Sequence, residues 1–107
     1  MRRILTETVR AAVAQARVKG ELSSQEELAG LAVEVPRIAS HGDWSTNAAM
    51  IMAGMEKKQP RELAEIIKKN IADDNGYLDQ IEIAGPGFIN FTLSPKWWYH
   101  VLREIQR

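Results

Sequence analysis

Four groupings of residues in this 107-residue chain have the types that chemistry uses. His41, Asp43 and Ser45 carry the functional groups of a hydrolytic triad. A triad needs those groups held in line by separate rigid elements. Crowded into one short segment, they read instead as a loop whose Asp and Ser side chains bond nearby backbone. Asp73 and Asp74 could offer oxygens to a cation, but they open an Asp-Asp-Asn-Gly turn and lack the spaced ligands of a calcium loop. Gly85-Pro86-Gly87 lies between two alternating segments, whereas a phosphate-cradling loop feeds the N-terminus of a helix. With two histidines, His41 and His100, far apart and no cysteine, neither a thiolate zinc site nor a disulfide framework can be built. These residues point to a chain with no catalytic residue and no metal site.

The fourth grouping is Trp97-Trp98-Tyr99. Consecutive residues on a helix point about 100° apart. All three rings therefore cannot face one small core. Either Trp98 is core and the others pack along the helix edge, or Trp97 and Tyr99 form a contact with another domain.

Charge excludes one class of partner and leaves another open. The net formal charge is zero, with 14 basic and 14 acidic residues. A free-standing, non-specific nucleic-acid binder is normally basic overall. The charge is uneven, however. Residues 1–19 carry Arg2, Arg3, Arg10, Arg17 and Lys19 against Glu7. Residues 56–69 carry Lys57, Lys58, Arg61, Lys68 and Lys69 against Glu56, Glu62 and Glu65. Such clusters are either ordinary solvated helix faces or a basic face hidden in a neutral total. The run from Trp44 to Met55 is too short to span a bilayer. Neither a signal peptide nor a disulfide framework is expected, which suits a cytoplasmic protein.

The elements that must position these residues follow from periodicity. Leu5, Val9 and Val13 predict an amphipathic helix over 2–19, ended by Gly20. Ser23 or Ser24, with Glu26 and Glu27 three residues on, predicts a short second helix with Leu28 and Leu31 on its core side. Residues 32–35 alternate as a strand stopped by Pro36, and Trp44-Ser45-Thr46 could add another. Ala48 to Ala53 is apolar on all sides, as in a buried helix. Pro60 starts another, with Leu63, Ile66, Ile67 and Ile71 on one face. Ile81–Ile83 and Phe88–Leu93 flank the Gly-Pro-Gly turn as a hairpin, and Ser94-Pro95 caps a last helix. The sum is a single α+β domain over 1–107. It has two layers: a small, largely antiparallel sheet of three to four strands covered by four to five helices.

Three segments now carry a resemblance. His41-Gly42-Asp43-Trp44-Ser45-Thr46-Asn47-Ala48-Ala49-Met50 resembles the Gly-Asp-aromatic-x-Thr-Asn-x-Ala segment of arginyl-tRNA synthetase N-terminal domains. Pro60-Arg61-Glu62-Leu63-Ala64 is similar to the helix start that follows it in that family. Ile81 to Phe91, centred on Gly85-Pro86-Gly87, resembles the family's most recognisable strand-turn-strand segment. Order and spacing also match, and the resemblance covers essentially the whole chain. Gly42, Asp43, Asn47, Gly85, Pro86 and Gly87 are its motif residues.

The resemblance implies a function accessory to chemistry done elsewhere. It implies a module that touches the D-loop at the elbow of arginine tRNA. The ATP-dependent attachment of arginine would belong to a class I catalytic domain C-terminal to it. The chain itself holds no His-x-Gly-His or Lys-Met-Ser-Lys-like segment, so it is expected to be a non-catalytic, cofactor-free part of a longer chain. In family members an aromatic and an amide on the strand after the turn approach an unpaired base; here the matching positions are Phe88 and Asn90. Alternation puts these two on one sheet face and Ile89, Phe91 and Leu93 on the other, which leaves Phe88 exposed. Lys57 and Lys68 are expected to meet phosphates. Trp97 and Tyr99 are expected to meet the catalytic domain. The alternative is a stand-alone protein-interaction domain that uses the Trp97–Tyr99 surface.

Overall fold

A computed structural model describes residues 2–24, 27–36, 42–73 and 76–96. Helix α1 (Arg2–Val18) buries Leu5, Val9, Ala12, Val13 and Ala16, the stripe its periodicity predicts. It ends in a pair of bonds that turn the chain sharply, Gly20 N–H to Arg17 C=O and Glu21 N–H to Ala16 C=O. Strands β1 (Val33–Glu34) and β2 (Trp44–Thr46) follow, then α2 (Ala48–Glu56) and α3 (Pro60–Asn70). The hairpin of β3 (Leu78–Ala84) and β4 (Phe88–Leu93) comes last. Helix α2 buries Ala48, Ala49, Met52 and Ala53, and small residues there permit close approach to the sheet and α3.

The sheet order is β1-β2-β4-β3, antiparallel throughout. Trp44-Ser45-Thr46 is thus a central strand that joins β1 to the hairpin. Val33, Thr46 and Ile89 sit side by side on the face turned to the helices, as do Trp44, Phe91 and Ile81. Ile89 and Phe91 are fully buried with Leu5, Met52, Leu63 and Ile67. On the other face the row runs Glu34, Ser45, Asn90, Glu82.

Two expectations need correction. The described residues contain three helices, not four to five. The predicted second helix is missing because Ser23 and Ser24 are engaged elsewhere. Both backbone N–H groups and the Ser23 hydroxyl donate to the Glu56 carboxylate at the end of α2, with Ser24 N at 2.7 Å. A cross-fold carboxylate supplies what a helix cap would have needed. Residues 27–31 form a turn instead, although Leu28 and Leu31 still pack on the core. Pro95 and Lys96 are helical, and the rest of the predicted last helix lies outside the described residues. The Ser94 hydroxyl there donates to Gly76 C=O, which ties the chain back to the turn before β3.

A candidate nucleobase cleft on the open sheet face

The Gly42–Asn47 segment is engaged in holding the sheet together. Gly42 has φ +99°, and a Cβ there would stand 2.8 Å from the Phe91 carbonyl oxygen, so only glycine fits. Asp43 N–H donates to that same carbonyl at 2.8 Å, and the Asp43 carboxylate accepts from Leu93 N–H at 2.8 Å. The Thr46 hydroxyl donates to Ala32 C=O at 2.8 Å. The Asn47 carboxamide accepts from Ala32 N–H at 2.8 Å and donates to Gly30 C=O at 3.1 Å. These bonds fix β1 against β2 and β2 against β4. Ser45 points to the opposite face from Thr46, away from the helices.

The Gly85-Pro86-Gly87 turn is fixed from the helical layer. Gly87 has φ +139°, and a Cβ on it would lie 2.7 Å from Pro60 Cβ at the start of α3. The turn leads into Phe88, which is 39% exposed, but burial along β4 does not alternate, since Ile89, Asn90 and Phe91 are all buried. Asn90 follows on the same face as Phe88 yet is only 6% exposed. The low exposure comes from its surroundings, since β4 is an interior strand of the sheet and side chains rise on both sides of it.

Those side chains line a cleft of about 560 Å³ at the outer sheet face, closed at one end by Thr46, Asn47 and Met50 at the start of α2. One wall is the turn, with Gly85, Pro86 and Phe88; the other is the end of β1, with Glu34, Val35 and Pro36. Ser45 and Asn90 lie between them. Val35 is 65% exposed, so the cleft has an apolar lip on each side. Among the described residues the Asn90 carboxamide makes no hydrogen bond, and its polar atoms stay open to the cleft. An amide at the floor of a cleft, with its donor and acceptor accessible, is available to whatever enters. The arrangement can take a flat, partly apolar group that stacks on Phe88 and bonds to the amide.

Phe88 and Asn90 are therefore brought together. Lys57 and Lys68 are not; both are exposed, but neither lines the cleft. Lys57 caps α2 in a left-handed conformation, φ 56°. Lys68 lies two turns along α3 from its start. Trp97 and Tyr99 lie outside the described residues, as do both histidines. The sequence reading missed Glu34, Val35, Pro36 and Ser45 as neighbours of Asn90. Alternation could have placed Glu34 and Ser45 on the outer face, but only strand register puts them beside it.

The family model described as the arginyl tRNA synthetase N terminal domain matches residues 3–93. The chain belongs to that family. It is 46% identical over 103 residues to the arginine-tRNA ligase of Acetivibrio thermocellus, covering 96% of this chain and 18% of that protein. Against the arginine-tRNA ligase of Geotalea daltonii it is 41% identical over 107 residues, which is 19% of that protein. Among solved structures, the arginyl-tRNA synthetase from Plasmodium falciparum superposes with a TM-score of 0.65 at 17% identity, over 90% of this chain and 16% of that one. At that identity the likeness shows the fold of this arginyl-tRNA synthetase N-terminal domain. The chain spans about a fifth of the length of these relatives.

Proposed function

We propose that this arginyl-tRNA synthetase N-terminal domain is a tRNA-recognition module, and that its open-face cleft receives an unpaired base from the D-loop of arginine tRNA. The observation that carries the reading is Asn90, 6% exposed, unpaired among the described residues and beside the exposed ring of Phe88. Looped-out bases are read by aromatic stacking and by hydrogen bonds to their edges, and an amide supplies both a donor and an acceptor. Lys57 and Lys68, away from the cleft, would meet phosphates and contribute affinity without sequence preference. Trp97 and Tyr99 would face the catalytic domain of the same chain. That domain, beyond these 107 residues, would bind ATP and join arginine to the tRNA in the cytoplasm. Asp43 and Asn47 brace the strands around the cleft through bonds to backbone, and the Gly-Pro-Gly turn forms one of its walls.

The deciding experiment is Phe88→Ala in the full-length ligase. Stacking on an aromatic side chain is worth about 1–3 kcal/mol. The variant should lose about tenfold in kcat/KM for tRNA, while ATP and arginine binding hold. Its melting temperature should change little, because the ring is 39% exposed. A folded Phe88→Ala enzyme with unchanged tRNA kinetics would reject the reading.

A further inference from the structure

The Gly-Pro-Gly turn is held from outside its own hairpin. Its internal bond, Gly87 N–H to Ala84 C=O, is long at 3.3 Å. A shorter bond comes from α3, where Arg61 Nη1 donates to the Gly85 carbonyl at 2.7 Å. A charged donor makes this the stronger of the two. The residue before it, Pro60, occupies the space that a side chain on Gly87 would need. Helix α3 therefore clasps the turn at both of its glycines. The Phe88 ring in turn lies against Gly85, with Cδ2 3.8 Å from where a Cβ on that glycine would be. Turn and ring together make one wall of the cleft.

We propose that Arg61 is a positioning residue for the cleft, acting through the Gly85 carbonyl to set the height of the turn and the pose of the Phe88 ring over Asn90. The inference rests on the base-contact reading above. An exposed arginine beside an RNA site could instead bind a phosphate directly. The two roles differ in what they do to the ring when no RNA is present, and in how they respond to salt.

The chain has two phenylalanines, Phe88 at the cleft and Phe91 in the core. Labelling with 4-fluorophenylalanine therefore gives two ¹⁹F signals. In the absence of RNA, Arg61→Ala should shift or broaden the Phe88 signal and leave that of Phe91 in place. Arg61→Lys, which restores a donor of similar reach, should move the Phe88 signal back toward wild type. In the full-length ligase Arg61→Ala should cost about 3- to 10-fold in kcat/KM for tRNA, mainly through KM. That loss should nearly vanish when Phe88→Ala is already present, as for two residues acting through one contact. The salt dependence of tRNA binding should be unchanged.

An unmoved Phe88 signal in Arg61→Ala overturns the proposal. So do losses that add to those of Phe88→Ala together with a salt slope reduced by about 1, the mark of a direct phosphate contact. Either result leaves the base-contact reading standing if Phe88→Ala itself weakens tRNA use. Silence of Phe88→Ala in a folded enzyme overturns both.

Discussion

Asn90→Val should make the domain more stable and the ligase worse. Asn90 lies on β4, paired with Ser45 on one side and Glu82 on the other. The residue is 6% exposed, its carboxamide reaches solvent only through the cleft, and no described residue bonds to it. An unpaired buried polar group costs about 1–3 kcal/mol; access from the cleft puts this one at the low end. Valine is close in size and suits an interior strand better, by up to about 1 kcal/mol. A net gain of about 0.5–2 kcal/mol follows. At about 4–8 °C per kcal/mol for a domain of this size, the melting temperature should rise by several degrees. The same change removes one or two hydrogen bonds to a bound base, each worth about 0.5–1.5 kcal/mol. In the full-length ligase kcat/KM for tRNA should fall about 5- to 30-fold, and discrimination between D-loop base variants should narrow. The assay pairs urea or thermal unfolding of the domain with aminoacylation kinetics. A loss of stability beyond about 1 kcal/mol would mean that the amide has a structural partner and refute the reasoning about the fold. Unchanged tRNA kinetics would refute the reasoning about the base.

Gly87→Ala should destabilise by about 2–4 kcal/mol, since it forces φ +139° on a side chain and drives its Cβ to 2.7 Å from Pro60 Cβ; urea midpoints test this, and a neutral result would mean the turn relocates freely. The Ser23 and Ser24 donors hold the Glu56 carboxyl down at about 2 in the folded chain. Because the folded value is lowered, its contribution should be intact above the ordinary value near 4.5 and fade as pH falls toward 2. Glu56→Gln should therefore be the less stable protein at pH 7, with the gap closing between pH 4.5 and 2; a pH-independent gap would contradict this. Lys57→Ala and Lys68→Ala should each weaken binding of all tRNAs alike and lower the salt slope by about 1, and a base-dependent effect would place either residue in the cleft instead.

Local signals in the sequence were enough for the frame. The spacing of Leu5, Val9 and Val13 dictates α1, and the proline at the start of α3 with its apolar stripe dictates that helix. The alternation either side of Gly85-Pro86-Gly87 dictates the hairpin and sends Phe88 and Asn90 to one face. Each of these rests on interactions between residues close in the chain, so each is legible in one dimension. The motif at 42–47 was legible as important, but its work was not: Asp43 and Asn47 bond to backbone far away in sequence. What tertiary structure alone decided depends on distant partners. The helix expected after Ser23 gives way because Glu56 takes the serine amides across the fold. The cleft exists because antiparallel register sets Glu34, Ser45 and Asn90 in one row and turns the exposed end of β1 toward Phe88. Arg61 reaches Gly85 only because α3 packs beneath the hairpin. Composition shows an asparagine on an alternating strand; its place at the floor of a cleft, with no partner among the described residues, comes from neighbours that only folding brings to it.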